Sequence, residues 1–209
     1  MIKINYEFKN QDLLNLALVQ SGRDKQFNNE RLEFLGDRVL GLVAAELLVE
    51  LFPNENEGAL AQRQAALVSG ATLMQIAEGV NLFPNIKHSH LTANNRNNIT
   101  ADAMEAVFGA IYLDGGWDAA RGAVRELILP FAQAYEVPPK DAKTELQELC
   151  HREFGQLPIY IYSDANGSSH NPEFVVEVRA GEKCAIGKGA SKKAASLDAA
   201  EEMLRELKK

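Results

Sequence analysis

Carboxylates recur at helical spacing inside an apolar segment that runs from Asn29 to Leu42. At about 100° per residue, Glu30, Glu33 and Asp37 fall in one narrow sector of a helix. Apolar residues gather on nearly the opposite side, and others flank the acids, so the acids are expected to line a cleft. Clustered carboxylates resist burial as ions unless divalent cations or protonation compensate them, and oxygen ligands point to Mg²⁺ or Mn²⁺. The opposite side holds Leu32, Leu35, Val39, Leu42 and Val43, and the flanking residues are Phe34, Leu40 and Gly41.

A second acidic pair lies between Thr100 and Tyr112. Asp102 and Glu105 are three residues apart and share one helical face, on which Gly109 is expected to leave room. One such pair on a helix is ordinarily solvated, but two pairs on strongly apolar helices favour a site. Two helices that converge in this way could hold one or two hard cations, an arrangement suited to in-line attack on phosphates.

Length and composition predict a folded protein of two domains. The chain has 209 residues, of which 46% are hydrophobic, and no segment reaches the length of a membrane span. The N-terminus lacks the apolar run of an export signal. Cys150 and Cys184 have no metal-like spacing, which is typical of a reducing compartment. A cytoplasmic protein without a membrane partner is expected.

The net charge of −7 counts against a nucleic-acid partner, but its distribution weakens the objection. Residues 1–139 contain 11 basic and 17 acidic residues, a net −6, whereas residues 140–209 contain 11 and 12, a net −1. Bound metal ions would offset part of the acidity of the first half. A nucleic-acid partner would then be held by a local basic patch, with modest and salt-sensitive affinity.

The order of the predicted elements divides the chain. Residues 1–136 read as an all-α domain, with a helix break at Gly115-Gly116. Paired prolines in the segment from Glu136 to Asp141 predict a linker at residues 137–142. Residues 143–209 read as a small α+β domain of order α-β-β-β-α. The predicted helices are Gln11–Leu18, Glu30–Leu51, Glu57–Val68, Thr72–Val80, Asn98–Leu113, Trp117–Ala134, Thr144–Phe154 and Ser191–Leu207, and the strands lie near Ile159–Ser163, Phe174–Arg179 and Cys184–Gly187.

These motifs carry a family resemblance over almost the whole chain. The segment Asn-Glu-Arg-Leu-Glu-Phe-Leu-Gly-Asp, which ends at Asp37, resembles the signature of the ribonuclease III endonucleases. The segment from Ala101 to Ala110 resembles that family's second acidic motif. Phe52-Pro53, Glu57-Gly58 and the run from Ala65 to Val68 resemble the helix between the motifs. The second half, with Leu157-Pro158 and Tyr160, is similar to the family's double-stranded-RNA-binding domain.

The resemblance implies a chemistry and an assembly. Glu33, Asp37, Asp102 and Glu105 would form the metal-binding cluster, with Asp37 and Glu105 the central catalytic pair. The cofactor would be Mg²⁺, with Mn²⁺ a possible substitute, and the reaction would be hydrolysis of double-stranded RNA to 5′-phosphate ends with 3′ overhangs. Ribosomal RNA precursors and structured transcripts would be the substrates. Family members are homodimers joined through the catalytic domain, for which the candidate interface residues are Phe34 and Leu35. Glu30 and Glu57 match secondary acidic positions.

The same resemblance places RNA contacts in the second domain. A-form RNA is recognised by its shape at separated points, since its base edges lie in a narrow groove. The first helix would enter one minor groove, the loop from Asn166 to His170 the next, and lysines at the start of the last helix would bind phosphate, where the helix dipole also favours anions. The residues are Thr144, Gln147, Glu148, His170, Lys188, Lys192 and Lys193.

Some positions depart from the family pattern. Arg38 follows Asp37 where a small residue is usual, and it could pair with a carboxylate or approach the substrate. Gln64 stands where an arginine is expected, and Ser196 where a further charge is expected in the phosphate clamp. The other departures are the Asn-rich segment 94–98 and Val19-Gln20-Ser21. His88 and His90 lack a third ligand in the sequence, which favours a surface loop over a metal site.

Two other functions compete with a nuclease. A relative that had lost catalysis would bind duplex RNA without cutting it, but it would not need all four acids. A carboxylate-bridged di-iron oxidase also uses paired acidic helices. That class expects Glu-x-x-His pairs, and no histidine follows Glu30, Glu33 or Glu105 at that spacing.

Overall fold

The computed structural model describes residues 2–20, 27–89, 91–92, 95–139, 141–163, 173–189 and 191–208. The chain divides into two compact units, Met1–Pro139 and Lys140–Lys209, each with its own hydrophobic core. The linker predicted at residues 137–142 is close to this division, and its finer limits stay a prediction. Within the described ranges, no helix is long and apolar enough to cross a membrane.

The first unit is helical, as the sequence pattern predicts. Predicted and observed limits agree within two residues, and the two helices predicted on either side of Gly115-Gly116 are the two halves of α5, which is kinked at Gly116. A short 3₁₀ helix, Phe83–Asn85, precedes α5. The α-helices are α1 (Gln11–Ala17), α2 (Glu30–Leu51), α3 (Glu57–Leu67), α4 (Gly70–Gly79) and α5 (Arg96–Gln133).

Helix α2, which carries the first acidic motif, begins and ends where the sequence predicts. Pro53 disfavours the α conformation at the preceding residue, and Phe52 has φ −125° and ψ 60°. The kink in α5 also falls at the predicted break. Gly116 has φ 78° and ψ −172°, a left-handed backbone that glycine adopts without a steric penalty.

The buried face of α2 is broader than one helical stripe. Leu32, Val39 and Val43 are buried as predicted, but Leu42, predicted on the same side, is 58% exposed. Leu40, predicted beside the acids, is fully buried. The reason is that α2 packs against both α5 and α3, so that apolar contacts cover more of its surface than a single stripe.

The second unit has the predicted order α-β-β-β-α. Its strands form an antiparallel sheet in the order β1-β2-β3, with Tyr160 opposite Val178 and Val178 opposite Ala185. Helix α7 packs on strands β2 and β3, and α6 packs against α7, in a core that includes Leu146, Val176 and Met203. The elements are α6 (Ala142–Phe154), β1 (Ile159–Tyr162), β2 (Phe174–Ala180), β3 (Lys183–Gly189) and α7 (Lys192–Leu207).

Candidate active site

Two glycines allow the acidic faces of α2 and α5 to lie side by side. A Cβ atom on Gly36 would lie 1.7 Å from the carbonyl oxygen of Glu105, and one on Gly109 would lie 2.2 Å from the carbonyl oxygen of Leu32. The backbones therefore approach more closely than any larger residue permits. The prediction that Gly109 leaves room on the acidic face is wrong, because the α2 backbone fills that space. The contact fixes the position of Glu105 relative to α2.

The four predicted ligands share one electrostatic environment. Glu33 and Asp37 on α2, and Asp102 and Glu105 on α5, are all partly buried. Burial, and then the charges of Asp37, Asp102 and Glu33, raise the pKa of Glu105 to about 7, against the opposing influence of Arg38. The structure thus brings together the side chains from both acidic motifs.

Two other members of the cluster also have raised pKa values. Burial, followed by the charges of Asp102, Glu30 and Asp37, raises the pKa of Glu33. Burial also raises the pKa of Asp102. Glu33, Asp102 and Glu105 therefore resist ionisation because they are partly desolvated, and Glu33 and Glu105 also because they face like charges. A positive charge placed among them would be strongly attracted.

The two secondary acids lie at helix starts. Glu30 is the exposed first residue of α2, and its charge contributes to the raised pKa of Glu33. Glu57 is the exposed first residue of α3, after the N-cap Asn56, whose side chain accepts a hydrogen bond from the Ala59 N–H. Both positions are favourable for an acid because of the helix dipole. A role for either residue in the reaction stays a prediction.

The donor set suits a hard divalent cation in its chemistry. The four groups offer only carboxylate oxygens, which Mg²⁺ and Mn²⁺ prefer. Their mutual repulsion is the kind of electrostatic strain that a cation relieves. Among the described residues, no three carboxylate, imidazole or thiol groups are already placed to hold an ion. Side-chain rotation would therefore accompany binding.

A measurable pH dependence follows from the raised pKa of Glu105. An unfolded glutamate has a pKa of 4.5, so the folded protein binds the Glu105 proton more tightly, and this stabilisation is lost as the pH rises from about 4.5 through about 7. We expect Glu105→Gln to unfold with a free energy about 1–2 kcal/mol higher than the wild type at pH 8 without metal, allowing for partial exposure, and with little difference at pH 4.5. Urea unfolding in chelator at both pH values checks this. An equal difference at both pH values would contradict it.

The RNA contacts predicted in α6 lie in its first two turns. The N-cap Asp141 accepts hydrogen bonds from the backbone N–H groups of Lys143 and Thr144, at 2.9 and 3.0 Å. The Thr144 hydroxyl also donates to Asp141, over 3.2 Å. Gln147 and Glu148 are exposed. His170 and the loop that contains it lie outside the described residues.

The predicted phosphate clamp lies at the start of α7. Lys188, Lys192 and Lys193 are all exposed, and the Ser191 side chain accepts a hydrogen bond from the Ala194 N–H. The Lys188 ammonium is 3.7 Å from a Glu173 carboxylate oxygen. The backbone N–H groups of the first turn, Lys192 and Lys193 thus lie at one end of this helix, and Lys188 lies on strand β3, which packs against α7. Such an arrangement suits an anion.

Ser196, where the family pattern predicts a further charge in the clamp, is 1% exposed. Its hydroxyl donates to the Lys192 carbonyl over 2.6 Å and lies 3.2 Å from the Tyr162 hydroxyl. A charge here would be buried, because the position faces the sheet and not the solvent.

The sequence did not predict one buried ion pair. Arg63 is 3% exposed, and its guanidinium donates two hydrogen bonds of 2.7 Å to Glu55 and others to the carbonyls of Tyr135 and Glu136. The expected arginine was one residue further, at Gln64, whose side chain donates to the Gly41 carbonyl over 3.1 Å. Arg63 lies one helical turn from Leu67, which is buried. That spacing is the one sequence signal that could have predicted the burial of Arg63. The ion pair joins α3 to the residue Glu55 that precedes it, and the hydrogen bonds to the carbonyls join α3 to the segment that follows α5.

Two further sequence features have local explanations. His88 stacks on Phe83 with ring centroids 6.0 Å apart, whereas His90 lies outside the described residues. In the Asn-rich segment, Asn95 and Thr92 exchange side-chain hydrogen bonds with each other's backbone N–H, and Asn94 lies outside the described residues. Ser21 likewise lies outside them.

Family models match both units. Residues 10–131 match the model described as Ribonuclease-III-like, and residues 142–207 match the double-stranded RNA binding motif. A helical nuclease domain followed by this motif defines a class of RNA-processing nucleases. Together the two matches cover most of both units.

Named relatives match over nearly the full length. Ribonuclease 3 of Ehrlichia ruminantium (strain Gardel) is 43% identical over 98% of this chain and 94% of its own. Ribonuclease 3 of Vibrio campbellii is 40% identical over the same shares. The chain therefore belongs to the ribonuclease III family, and the expectation of an endoribonuclease acting on double-stranded RNA is confirmed at that level.

Solved structures agree with this assignment. The nuclease domain of ribonuclease III from Campylobacter jejuni is 42% identical, with a TM-score of 0.56, over 60% of this chain and 90% of that one. Dicer from Pichia stipitis is 27% identical, with a TM-score of 0.54, over 98% of each chain. The predicted fold class, a helical nuclease domain followed by an α-β-β-β-α domain, is confirmed.

Proposed function

We propose that the protein hydrolyses double-stranded RNA with Mg²⁺, or Mn²⁺ in its place, held by Glu33, Asp37, Asp102 and Glu105. The products would carry 5′-phosphates and 3′ overhangs. One observation carries the proposal: four partly buried carboxylates on two helices in close contact, with Glu105 and Glu33 repelled by their neighbours. Such a cluster costs folding free energy, which is understandable if a cation compensates it during catalysis.

The roles of the chain's own residues follow from where they lie. When bound, the cation would activate the attacking water and stabilise the departing 3′ oxygen. Asp37 and Glu105 extend from the facing surfaces of α2 and α5, so both would bind and orient it. The Gly36 and Gly109 contact holds these helices at a fixed separation. Partial burial strengthens every charge interaction in the site by excluding water. No protein nucleophile is required.

We further propose that the second unit holds the RNA at the contacts named above, with phosphate bound at the start of α7. We expect the double variant Lys192→Gln, Lys193→Gln to bind a long RNA duplex about tenfold more weakly, and to reduce the slope of log affinity against log salt by up to about 2. The matched control is Arg152→Gln, Arg179→Gln, which removes two exposed charges that pair locally with Glu153 and Glu177. Filter binding at several salt concentrations measures both. Equal losses in the two double variants would contradict the clamp.

A homodimer joined through the nuclease unit is part of the proposal. Phe34, Leu42 and Val49 form one stripe along α2, and each is more than half exposed. Beside its first turns lies a groove of about 500 Å³ whose lining includes Phe27, Leu35 and Leu113. Exposed apolar surface of this extent is typical of an interface. In the Campylobacter jejuni nuclease domain a flexible region is involved in dimer formation. Two sites in such a dimer would cut opposite strands two base pairs apart.

The cellular role is proposed from the family alone. Processing of ribosomal RNA precursors and structured transcripts in the cytoplasm would suit an enzyme that recognises duplex shape. The described cysteines, Cys150 and Cys184, are both free thiols, which is compatible with a reducing compartment.

The test uses the full chain and a long labelled RNA duplex, with Mg²⁺ or with chelator, beside a single strand of the same sequence. We expect Mg²⁺-dependent short duplexes with two-nucleotide 3′ overhangs, and little cleavage of the single strand. A two-nucleotide overhang would also indicate that the two sites of a dimer cut opposite strands. Tight duplex binding without cleavage would favour the non-catalytic RNA-binding protein instead.

A further inference from the structure

Arg38, which follows Asp37 where the family resemblance predicts a small residue, has two partners in the structure. Its guanidinium forms an ion pair with the carboxylate of Asp37. It also lies over the ring of Phe34, 5.4 Å from the ring centre. The Arg38 side chain is 67% exposed, so it can move without disturbing the core.

The charge of Arg38 acts on Glu105 as well as on its partner Asp37. It opposes the influences that raise the pKa of Glu105, so its field reaches α5 as well as its own helix. A guanidinium stays charged at any pH at which the protein is folded. Arg38 is therefore a permanent positive charge at the edge of a group of carboxylates, where a divalent cation would also be attracted.

We propose that Arg38 is a positioning residue that acts as an internal counter-cation: it holds the Asp37 carboxylate in the metal-free enzyme and gives it up when a divalent cation binds. The inference rests on the proposed metal-dependent function. It is consistent with the finding that, among the described residues, no three such groups are already placed to hold an ion. Asp37 is engaged by Arg38, and it must turn to become a ligand.

The exchange is physically easy. An ion pair between side chains as exposed as these contributes little to stability, so releasing Asp37 costs little. The Phe34 ring offers the released guanidinium a second favourable contact. Since Arg38 keeps its charge near the site, it also reduces the attraction of the cluster for a cation. Removing it should therefore tighten metal binding.

The experiment measures Mn²⁺ binding to the full chain without RNA, by titration calorimetry or by the electron paramagnetic resonance of free Mn²⁺. We expect Arg38→Ser to bind Mn²⁺ about 3- to 10-fold more tightly than the wild type at low ionic strength. Arg38→Lys, which keeps the charge, should return the affinity to within about twofold of the wild type. The control Lys87→Ser removes one exposed charge of the same unit outside the acidic cluster and should leave the affinity unchanged.

The outcomes separate this inference from the proposed function. Measurable Mn²⁺ binding by the wild type with no change in Arg38→Ser would overturn the role of Arg38 alone. If Arg38→Ser instead raised the KM for duplex RNA at unchanged Mn²⁺ affinity, Arg38 would be a substrate contact and the inference would be wrong. No Mn²⁺ binding by the wild type would remove the metal site and the inference together.

Discussion

The variant Glu105→Gln is expected to cut duplex RNA at least about 10³-fold more slowly than the wild type at saturating Mg²⁺, while it binds the same duplex with similar affinity. Gln has nearly the shape of Glu but offers a neutral amide where the site requires a charged oxygen. Glu105 stands where α5 meets α2 and faces Asp37, Asp102 and Glu33, so its loss weakens the cation site from the centre. The RNA-binding unit has a separate core and should be unaffected.

The measurement is single-turnover cleavage of a labelled duplex, with binding followed in Ca²⁺ or chelator. Glu78→Gln is the matched control because Glu78 is an exposed acid near the end of α4 and outside the cluster. It should cleave at the wild-type rate. Comparable cleavage by Glu105→Gln and Glu78→Gln would show that Glu105 has no part in the reaction.

The second large effect concerns the contact between the helices. Gly36→Ala is expected to lower the free energy of unfolding by about 3 kcal/mol or more, since the new Cβ would lie 1.7 Å from the Glu105 carbonyl oxygen. Neither backbone can give way without separating α2 from α5. Cleavage should fall as well in whatever fraction still folds, because the two acidic pairs would move apart.

Gly122→Ala provides the control for the glycine substitution. Gly122 belongs to α5, and a Cβ there would meet nothing within 4 Å. Alanine has the higher helix propensity, so this change should be neutral or stabilise by up to about 1 kcal/mol. Chemical denaturation followed by circular dichroism compares both variants with the wild type. A loss below about 1 kcal/mol for Gly36→Ala would mean that the helices are not held at this separation.

The sequence predicts the elements of this protein well because its local signals agree with one another. Helix α2 begins at Glu30 and ends at Leu51 as predicted, since its apolar period is long and Pro53 stops it. The break in α5 is visible as a pair of glycines, although the sequence does not show that both halves belong to one kinked helix. The second unit follows from alternating strands between two helices.

What the sequence could not show depends on contacts between distant residues. The burial of Leu40 and the exposure of Leu42 are decided by α3 and α5, not by the period of α2. Whether the space at Gly109 stays open or is filled depends on which backbone packs against it. Arg63 looks like a solvated helix residue until its partner Glu55 and the end of α5 are in place.

The placement of the four acids is also partly predictable from the sequence and partly dependent on contacts between distant residues. Spacing alone pairs Glu33 with Asp37, and Asp102 with Glu105, because each pair lies on one helix. That the two pairs meet was predicted from their joint occurrence and from the family resemblance, and the close contact of α2 with α5 makes it physically reasonable. The sequence leaves open whether Arg38 pairs with a carboxylate or contacts the substrate. It therefore does not predict the pairing of Arg38 with Asp37.

The most direct test of the central claim is an anomalous difference map from crystals of the full chain grown with Mn²⁺ at a concentration that supports cleavage. A cation held by Glu33, Asp37, Asp102 and Glu105 predicts a peak between α2 and α5, at about 2.2 Å from carboxylate oxygens of both helices. The same map from Glu105→Gln crystals should show the peak reduced or lost. A wild-type map with no peak among these four side chains, from crystals whose protein cleaves RNA in Mn²⁺, would contradict the account.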